Sequence, residues 1–172
     1  KAPARLTSFR EKFVTLQRYA IDQVLVLHFN NGLANMEAAD FIRRILIDGL
    51  NVRHLVVGDD FRFGKDRKGD FALLEQAGRE HDFSVVSMTS FRVDGERVSS
   101  TGIRSALAEG DFDRAERLLG RHYHMTGIVA HGDKRGRQWG FPTANIRMQR
   151  KVIPLRGVFA VEVFGLEHEP VF

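Results

Sequence analysis

The stretch His54–Val86, HLVVGDDFRFGKDRKGDFALLEQAGREHDFSVV, decides the fold. It opens on His54-Leu55-Val56-Val57, a run too apolar to have one wet face, and so predicts a buried strand ending at Gly58. Asp70 stands where an N-cap belongs, ahead of a helix through His81 that would bury Phe71, Leu74 and Ala77. Phe83 to Val86 predicts another strand. Strands alternating with helices at this spacing imply a parallel, doubly wound α/β sheet.

Working outward, the upstream residues extend the same pattern. Ser8 and Glu11 have capping-box spacing, and Phe9, Phe13, Leu16 and Ala20 then share one face of a helix. Val24–Leu27 reads as a further buried strand. Met36–Leu46 reads as a helix with Phe41, Ile42, Ile45 and Leu46 inward and Gly49 as its stop. Downstream, Asp94-Gly95 marks a turn. A short helix follows Val98–Thr101 and runs to Glu109, where Gly110 ends it; Asp111 starts another that Gly120 stops. From Tyr123 the chain turns to strands and glycines with little helix, the pattern of a small antiparallel β-barrel. The expected division is an α/β domain over residues 1–120 and the opening of a barrel over 121–172.

Composition sets the outer bounds. The 172 residues are 43% hydrophobic, enough for a core, and no apolar run approaches the ~20 residues that cross a bilayer. Cysteine is absent, which excludes disulfides, thiolate nucleophiles and Cys-based zinc sites and fits a reducing, cytoplasmic setting. A net charge of +4 points to an anionic partner without choosing among nucleotides and nucleic acid. His122, His124 and His131 do not read as a metal cluster, since His122 and His124 have no carboxylate at a recognisable spacing; a structural or solvated role is expected. Lys1-Ala2-Pro3 carries neither an initiator Met nor a first strand, and the strand-like run before Phe172 has few partners, so a fragment is expected.

Four stretches carry chemistry. Gly58-Asp59-Asp60-Phe61-Arg62-Phe63-Gly64 follows a strand, where loops build the ligand crevice of an open α/β sheet; it reads either as a ring-binding loop or as a turn whose aromatics plug the core. Lys65–Asp70 is a basic loop that would follow phosphates or simply be solvated. Ser99-Ser100-Thr101-Gly102-Ile103-Arg104 places hydroxyls at a helix N-terminus and a guanidinium one turn along, a ready phosphate site, although plain capping also explains the serines. Between Gly127 and Gly140, glycines alternate with Lys134, Arg135 and Arg137, so the backbone can approach a polyanion and its N–H groups can nest around phosphate oxygens. Thr143 and Asn145 then offer hard oxygen ligands suited to a magnesium ion bridging phosphates. No Walker A ending closes this loop, and a Gly-rich hairpin with solvated charges is the plainer alternative.

The string Gly127-x-Val129-x-His131-Gly132-Asp133-x-x-Gly136-Arg137-x-x-Gly140-Phe141-Pro142-Thr143-Ala144-Asn145, followed by Pro154-x-x-Gly157-Val158-Phe159-Ala160-Val161, resembles the opening of a riboflavin kinase module. Arg5–Lys12, Val57–Gly64, Ser99–Arg104 and Leu118-Leu119-Gly120-Arg121-x-Tyr123 resemble, in order, the FAD synthetase half of the bacterial bifunctional riboflavin kinase/FAD synthetase family. The resemblance implies a Rossmann-like nucleotidyltransferase domain, joining FMN to the AMP part of ATP, and a barrel kinase that phosphorylates riboflavin to FMN. It assigns Asp60, Ser100, Thr101 and Arg104 to the ATP phosphates of the transferase. Gly132, Lys134, Gly136, Arg137, Gly140, Thr143 and Asn145 fall to the kinase nucleotide, with Thr143 and Asn145 also holding Mg²⁺.

ATP, riboflavin and FMN would be substrates and FAD the product. The flavin ring is unassigned; Phe61, Phe63 and Trp139 are the aromatics at hand. Two elements of the family pattern are missing: the transferase's His-x-Gly-His loop has no counterpart in this sequence, and the kinase's downstream Glu base would lie beyond Phe172. These residues alone are therefore expected to catalyse neither step well. The competing readings are a basic nucleotide- or nucleic-acid-binding module and an adenylyltransferase for another small acceptor. Cations gathered in glycine loops, rather than interleaved with aromatics along a strand, weigh against nucleic acid.

Overall fold

The computed structural model describes residues 3–132, 140, 141, 143–148, 150 and 152–165. The chain is mixed α/β and gathers into two compact units, Leu25–Arg97 and a second formed by residues 1–24 together with 98–172.

The first unit is built on a parallel pair, β1 (His54–Gly58) and β2 (Ser84–Met88), in the register Val56↔Val86. The crossover between them contains a helix, which we number α4 (Phe71–His81); α1 (Phe9–Arg18) lies in the other unit, and α2 (Asn31–Ala34) and α3 (Ala38–Phe41) precede β1. Asp70 caps α4 as expected, accepting from the Leu73 N–H at 3.0 Å. Leu74 and Ala77 are buried against Val57, Phe63 and Phe83, and Phe71 packs at the margin of that core. Ile42–Ile47 continues α3 with wider, π-helical turns, burying Ile42 and Leu46.

Two strand expectations fail. The strands are not buried on both faces: Val57 is inside, whereas the opposed Val56 and Val86 are more than half exposed. Val24–Leu27 forms no strand, and Leu25 and Val26 are likewise exposed. A strand needs a ladder partner, and among the described residues none pairs with this run. The hairpin β3 (Arg92–Val93) and β4 (Glu96–Arg97) turns at Asp94-Gly95 as read.

The second unit centres on α5 (Ser100–Glu109) and α6 (Phe112–Leu119), ended by Gly110 and Gly120. Ile103, Ala106, Leu107, Ala115 and Leu118 form its core, which Leu6, Tyr123 and Leu155 flank. Phe159 meets Phe112 edge-on, with ring centroids 5.3 Å apart. An antiparallel ribbon, β5 (Ile128–Ala130) and β6 (Asn145–Arg147), supplies the small antiparallel sheet.

Helix α1 has the capping box that its spacing predicts, with Ser8 and Glu11 bonded reciprocally. Its orientation differs from the apolar-face reading. Phe9 and Phe13 are exposed and stack on each other, and Ala20 lies beyond the helix. The buried member is Glu11, whose partners in the second half of the chain draw that face inward.

Candidate functional site

The loop after β1 presents Asp60 at a strand C-terminal end. Arg97 Nη2 donates to its carboxylate at 3.0 Å, so the hairpin steadies the loop, while Ser90 Oγ donates to Asp59 at 3.1 Å. The two aromatics of this loop divide. Phe63 is a core residue, tilted against Phe41 with ring centroids 5.3 Å apart and stacked on Phe61 at 5.6 Å; Phe61 stays partly exposed. Phe63 thus plugs the core, as one of the two readings of the loop has it.

The basic loop is pinned at both ends. Phe63 and Gly69 exchange backbone hydrogen bonds of 3.2 and 2.9 Å, and Lys65 N–H donates to the Met36 carbonyl at 2.8 Å. Gly64 has φ +72, and a Cβ there would stand 2.7 Å from Ala38 Cα, so only glycine fits this approach. Lys65 and Lys68 face Glu37 and Asp66 at 3.6 and 3.8 Å, and both pairs are solvated. Arg62 lies 3.1 Å from Asp70; the Leu73 amide, with Arg62 adding to it, holds the Asp70 carboxyl below its usual range.

In the other unit, α5 begins with Ser99 as its N-cap, accepting from Gly102 N–H at 3.1 Å. Ser100 and Thr101 stand exposed on the first turn, and Arg104 follows one turn later. Arg104 Nε donates to the Ala4 carbonyl at 2.6 Å, which fixes the guanidinium beside that turn. These three residues are thus brought together. Asp60 belongs to the other unit.

Of the remaining residues, Asn145 lies on the ribbon and Gly132, Gly140 and Thr143 are also described. A Cβ on Gly132 would collide with the Asn145 side-chain amide, so backbone and amide are in intimate contact. Gly140 has φ +80, and Thr143 and Asn145 are exposed. Thr143 and Asn145 offer hydroxyl and amide oxygens, and hard donors of that kind suit Mg²⁺. Lys134, Gly136, Arg137 and Trp139 lie outside the described residues.

A group absent from the expected sites lies at the foot of this ribbon. Glu11 accepts from Ser8 N–H at 2.6 Å, Thr126 N–H at 2.6 Å and Thr126 Oγ1 at 2.9 Å, and it pairs with Arg150 Nη2. Arg150 Nη1 donates to the Leu6 carbonyl at 3.0 Å and to Tyr123 Oη at 2.8 Å, while the Tyr123 hydroxyl donates to Leu6 at 3.0 Å. The side chains of Arg150 and Glu11 are 2% and 1% exposed. Burial opposes the Glu11 charge, but the hydrogen bonds from Ser8 and Thr126 and the Arg150 guanidinium outweigh it and lower its pKa. Burial raises the Tyr123 phenol, against the pull of Arg150. The sequence signalled only the capping role of Glu11, because the partners stand 115 and 139 positions away. His122 also has a partner that spacing did not reveal, Glu116 Oε2 at 2.9 Å from Nδ1.

The FAD synthetase family matches residues 1–102. The chain belongs to that family. The riboflavin kinase family matches residues 119–171, so this FAD synthetase relative carries both signatures in one order. Bifunctional riboflavin kinase/FMN adenylyltransferase of Escherichia coli K12 is 48% identical over 171 residues, 99% of this chain and 55% of that protein. The protein of the same name from Pseudomonas fluorescens is 51% identical over 162 residues, 94% of this chain and 52% of that one. The chain thus spans about half the length of the curated relatives it matches. A solved structure titled as a macrolide-efflux protein from Streptococcus pneumoniae aligns with a TM-score of 0.71 at 30% identity, covering 88% of this chain and 49% of that one. Among the described residues no helix is long and apolar enough to cross a membrane.

Proposed function

We propose that the intact protein makes FAD from riboflavin in two ATP-dependent steps. In the first, the riboflavin 5′-hydroxyl attacks the γ-phosphorus of ATP, the bond to the β,γ-bridging oxygen breaks, and ADP leaves with FMN as product. In the second, an FMN phosphate oxygen attacks the α-phosphorus of a second ATP, and pyrophosphate leaves as FAD forms. The observation that carries this reading is the pair of family matches, kinase after synthetase, laid over two separate phosphate-suited structures. We place the division between the two modules near Gly120.

For adenylyl transfer, Ser100 and Thr101 present hydroxyls at the α5 N-terminus, and Arg104 adds a planar cationic fork beside it. Helix N–H groups and a guanidinium stabilise charge that grows on phosphoryl oxygens. Asp60 stands at the strand-end loop where the sheet builds its ligand crevice. For phosphorylation, Gly132, Lys134, Gly136, Arg137 and Gly140 would bind the nucleotide. Thr143 and Asn145 would hold Mg²⁺, which when bound draws charge from the phosphates and orients them for in-line transfer. The substrates are small molecules, and the setting is cytoplasmic.

Incubating the intact protein with riboflavin, ATP and Mg²⁺, with separation of products over time, tests this. FMN should appear first and FAD after it, with ADP and then pyrophosphate released. Protection from unfolding by oligonucleotides, but not by ATP–Mg²⁺ or flavin, would replace the enzyme with a binding module.

A further inference from the structure

The β5–β6 ribbon has two ends with different partners. At one end Ala130 pairs with Asn145, and Gly132 abuts the Asn145 amide. At the other Ile128 pairs with Arg147. Thr126 lies two residues before that closing pair and Arg150 three residues after it, and both grip Glu11. One carboxylate on α1 therefore ties the entry of β5 to the exit of β6. Gly127 packs against Ile146 and the Arg147 carbonyl just above the tie, so the two strands meet without a gap.

A two-stranded ribbon is marginal in water by itself, and a slip of one residue turns every side chain to the opposite face. All three residues of β6 are exposed, so burial does not set its register. We propose that Glu11 is a register clamp: by holding Thr126 and Arg150 at one end of the ribbon, it positions Asn145 and Gly132 at the other for phosphate capture. Glu11 is a positioning residue, acting through Asn145 about 7 Å of ribbon beyond the closing pair. The clamp deepens the kinase reading and rests on it for its effect on activity, but not for its effect on the ribbon. It also gives a helix inside the FAD synthetase match a part in the other reaction.

The test uses Glu11→Gln in the intact protein, read by amide hydrogen exchange and by steady-state kinetics. Exchange at residues 128–130 and 145–147 should speed up at least about tenfold while α4 and α5 keep wild-type rates, about tenfold being the effect of ~1.4 kcal/mol. In FMN formation KM for ATP should rise about tenfold with a smaller change in kcat, and FAD formation from supplied FMN should be unchanged. Should Glu11→Gln not fold, Arg150→Lys carries the same measurement, since it keeps the charge and loses the fork. Ribbon exchange at the wild-type rate, or a rise shared equally by α4 and α5, overturns the clamp. Wild-type protein that makes no FMN overturns the kinase reading alone; the exchange result still decides the clamp.

Discussion

The first turn of α5 and the β5–β6 ribbon, the two places proposed to take phosphate, are held by opposite means. The first turn of α5 inherits its position from a core: Ile103, Ala106 and Leu107 are buried on the helix that presents Ser100, Thr101 and Arg104. Among the described residues the β5–β6 ribbon has no such anchor. Its strand residues are exposed or half-buried, and a buried carboxylate with a guanidinium and a threonine secures one end. Apolar packing is diffuse and tolerates small changes, whereas a charged tie concentrates the whole positional demand in a few atoms. The ribbon should therefore break at single residues and the helix should not.

The largest effect is expected at the tie. Arg150→Met leaves the Glu11 charge buried and uncompensated, and removing one partner of a buried pair costs about 3–5 kcal/mol. Adding Glu11→Gln should recover part of that loss, because no bare charge then stays inside. Denaturant unfolding of the two variants checks the order; equal stability would put the tie on the same footing as ordinary packing. Acid should do the same job as mutation. Glu11 has a folded pKa below its ordinary 4.5, so its contribution is fully present above about pH 4.5 and is lost as pH falls through the depressed value. The wild type should lose ribbon protection in that window, and Glu11→Gln should not.

Two glycines on the ribbon sharpen the comparison at a smaller scale. Gly127→Ala would set a Cβ 2.9 Å from the Arg147 carbonyl, a backbone atom that cannot swing aside, and should cost about 1–3 kcal/mol as overpacking does. For Gly132→Ala the nearest atoms belong to the Asn145 amide, the end of a side chain that can rotate away. It should cost less stability, yet the rotation removes Asn145 from its place, so KM for ATP in FMN formation should rise while FAD formation is untouched. A Gly132→Ala protein with wild-type kinetics would separate the amide's position from nucleotide binding.

What the sequence made legible follows the range of the interactions. Caps at Ser8, Asp70 and Asp111 involve residues three apart, and each occurs where spacing puts it; among the serines before α5 the cap is Ser99. The parallel pair was readable because β1, α4 and β2 follow directly in the chain. The face of α1 was not, since hydrophobicity pointed to Phe9 and Phe13 while Arg150 and Thr126, far downstream, turned Glu11 inward. Val24–Leu27 looked like a strand on composition, but a strand is a property of two segments. Ser100, Thr101 and Arg104 are legible as neighbours because one helix turn holds them together. The tie beneath Asn145 was invisible, for Glu11 already had a sufficient local explanation in its capping box.

The smallest effect should come from the helix itself. Ser99→Ala removes the acceptor for Gly102 N–H and should cost about 1 kcal/mol, whereas Ser99→Gly should cost only a few tenths. Because the buried residues of α5 remain, the first turn should fray without moving, and Arg104 should keep its bond to the Ala4 carbonyl. FAD formation should then fall by a few fold at most, in the measure that about 1 kcal/mol allows. Ribbon exchange should not respond at all. A Ser99→Ala protein whose β5–β6 amides loosen as much as those of Glu11→Gln would mean that one structure holds both sites, and the contrast between core-set and charge-set positions would dissolve.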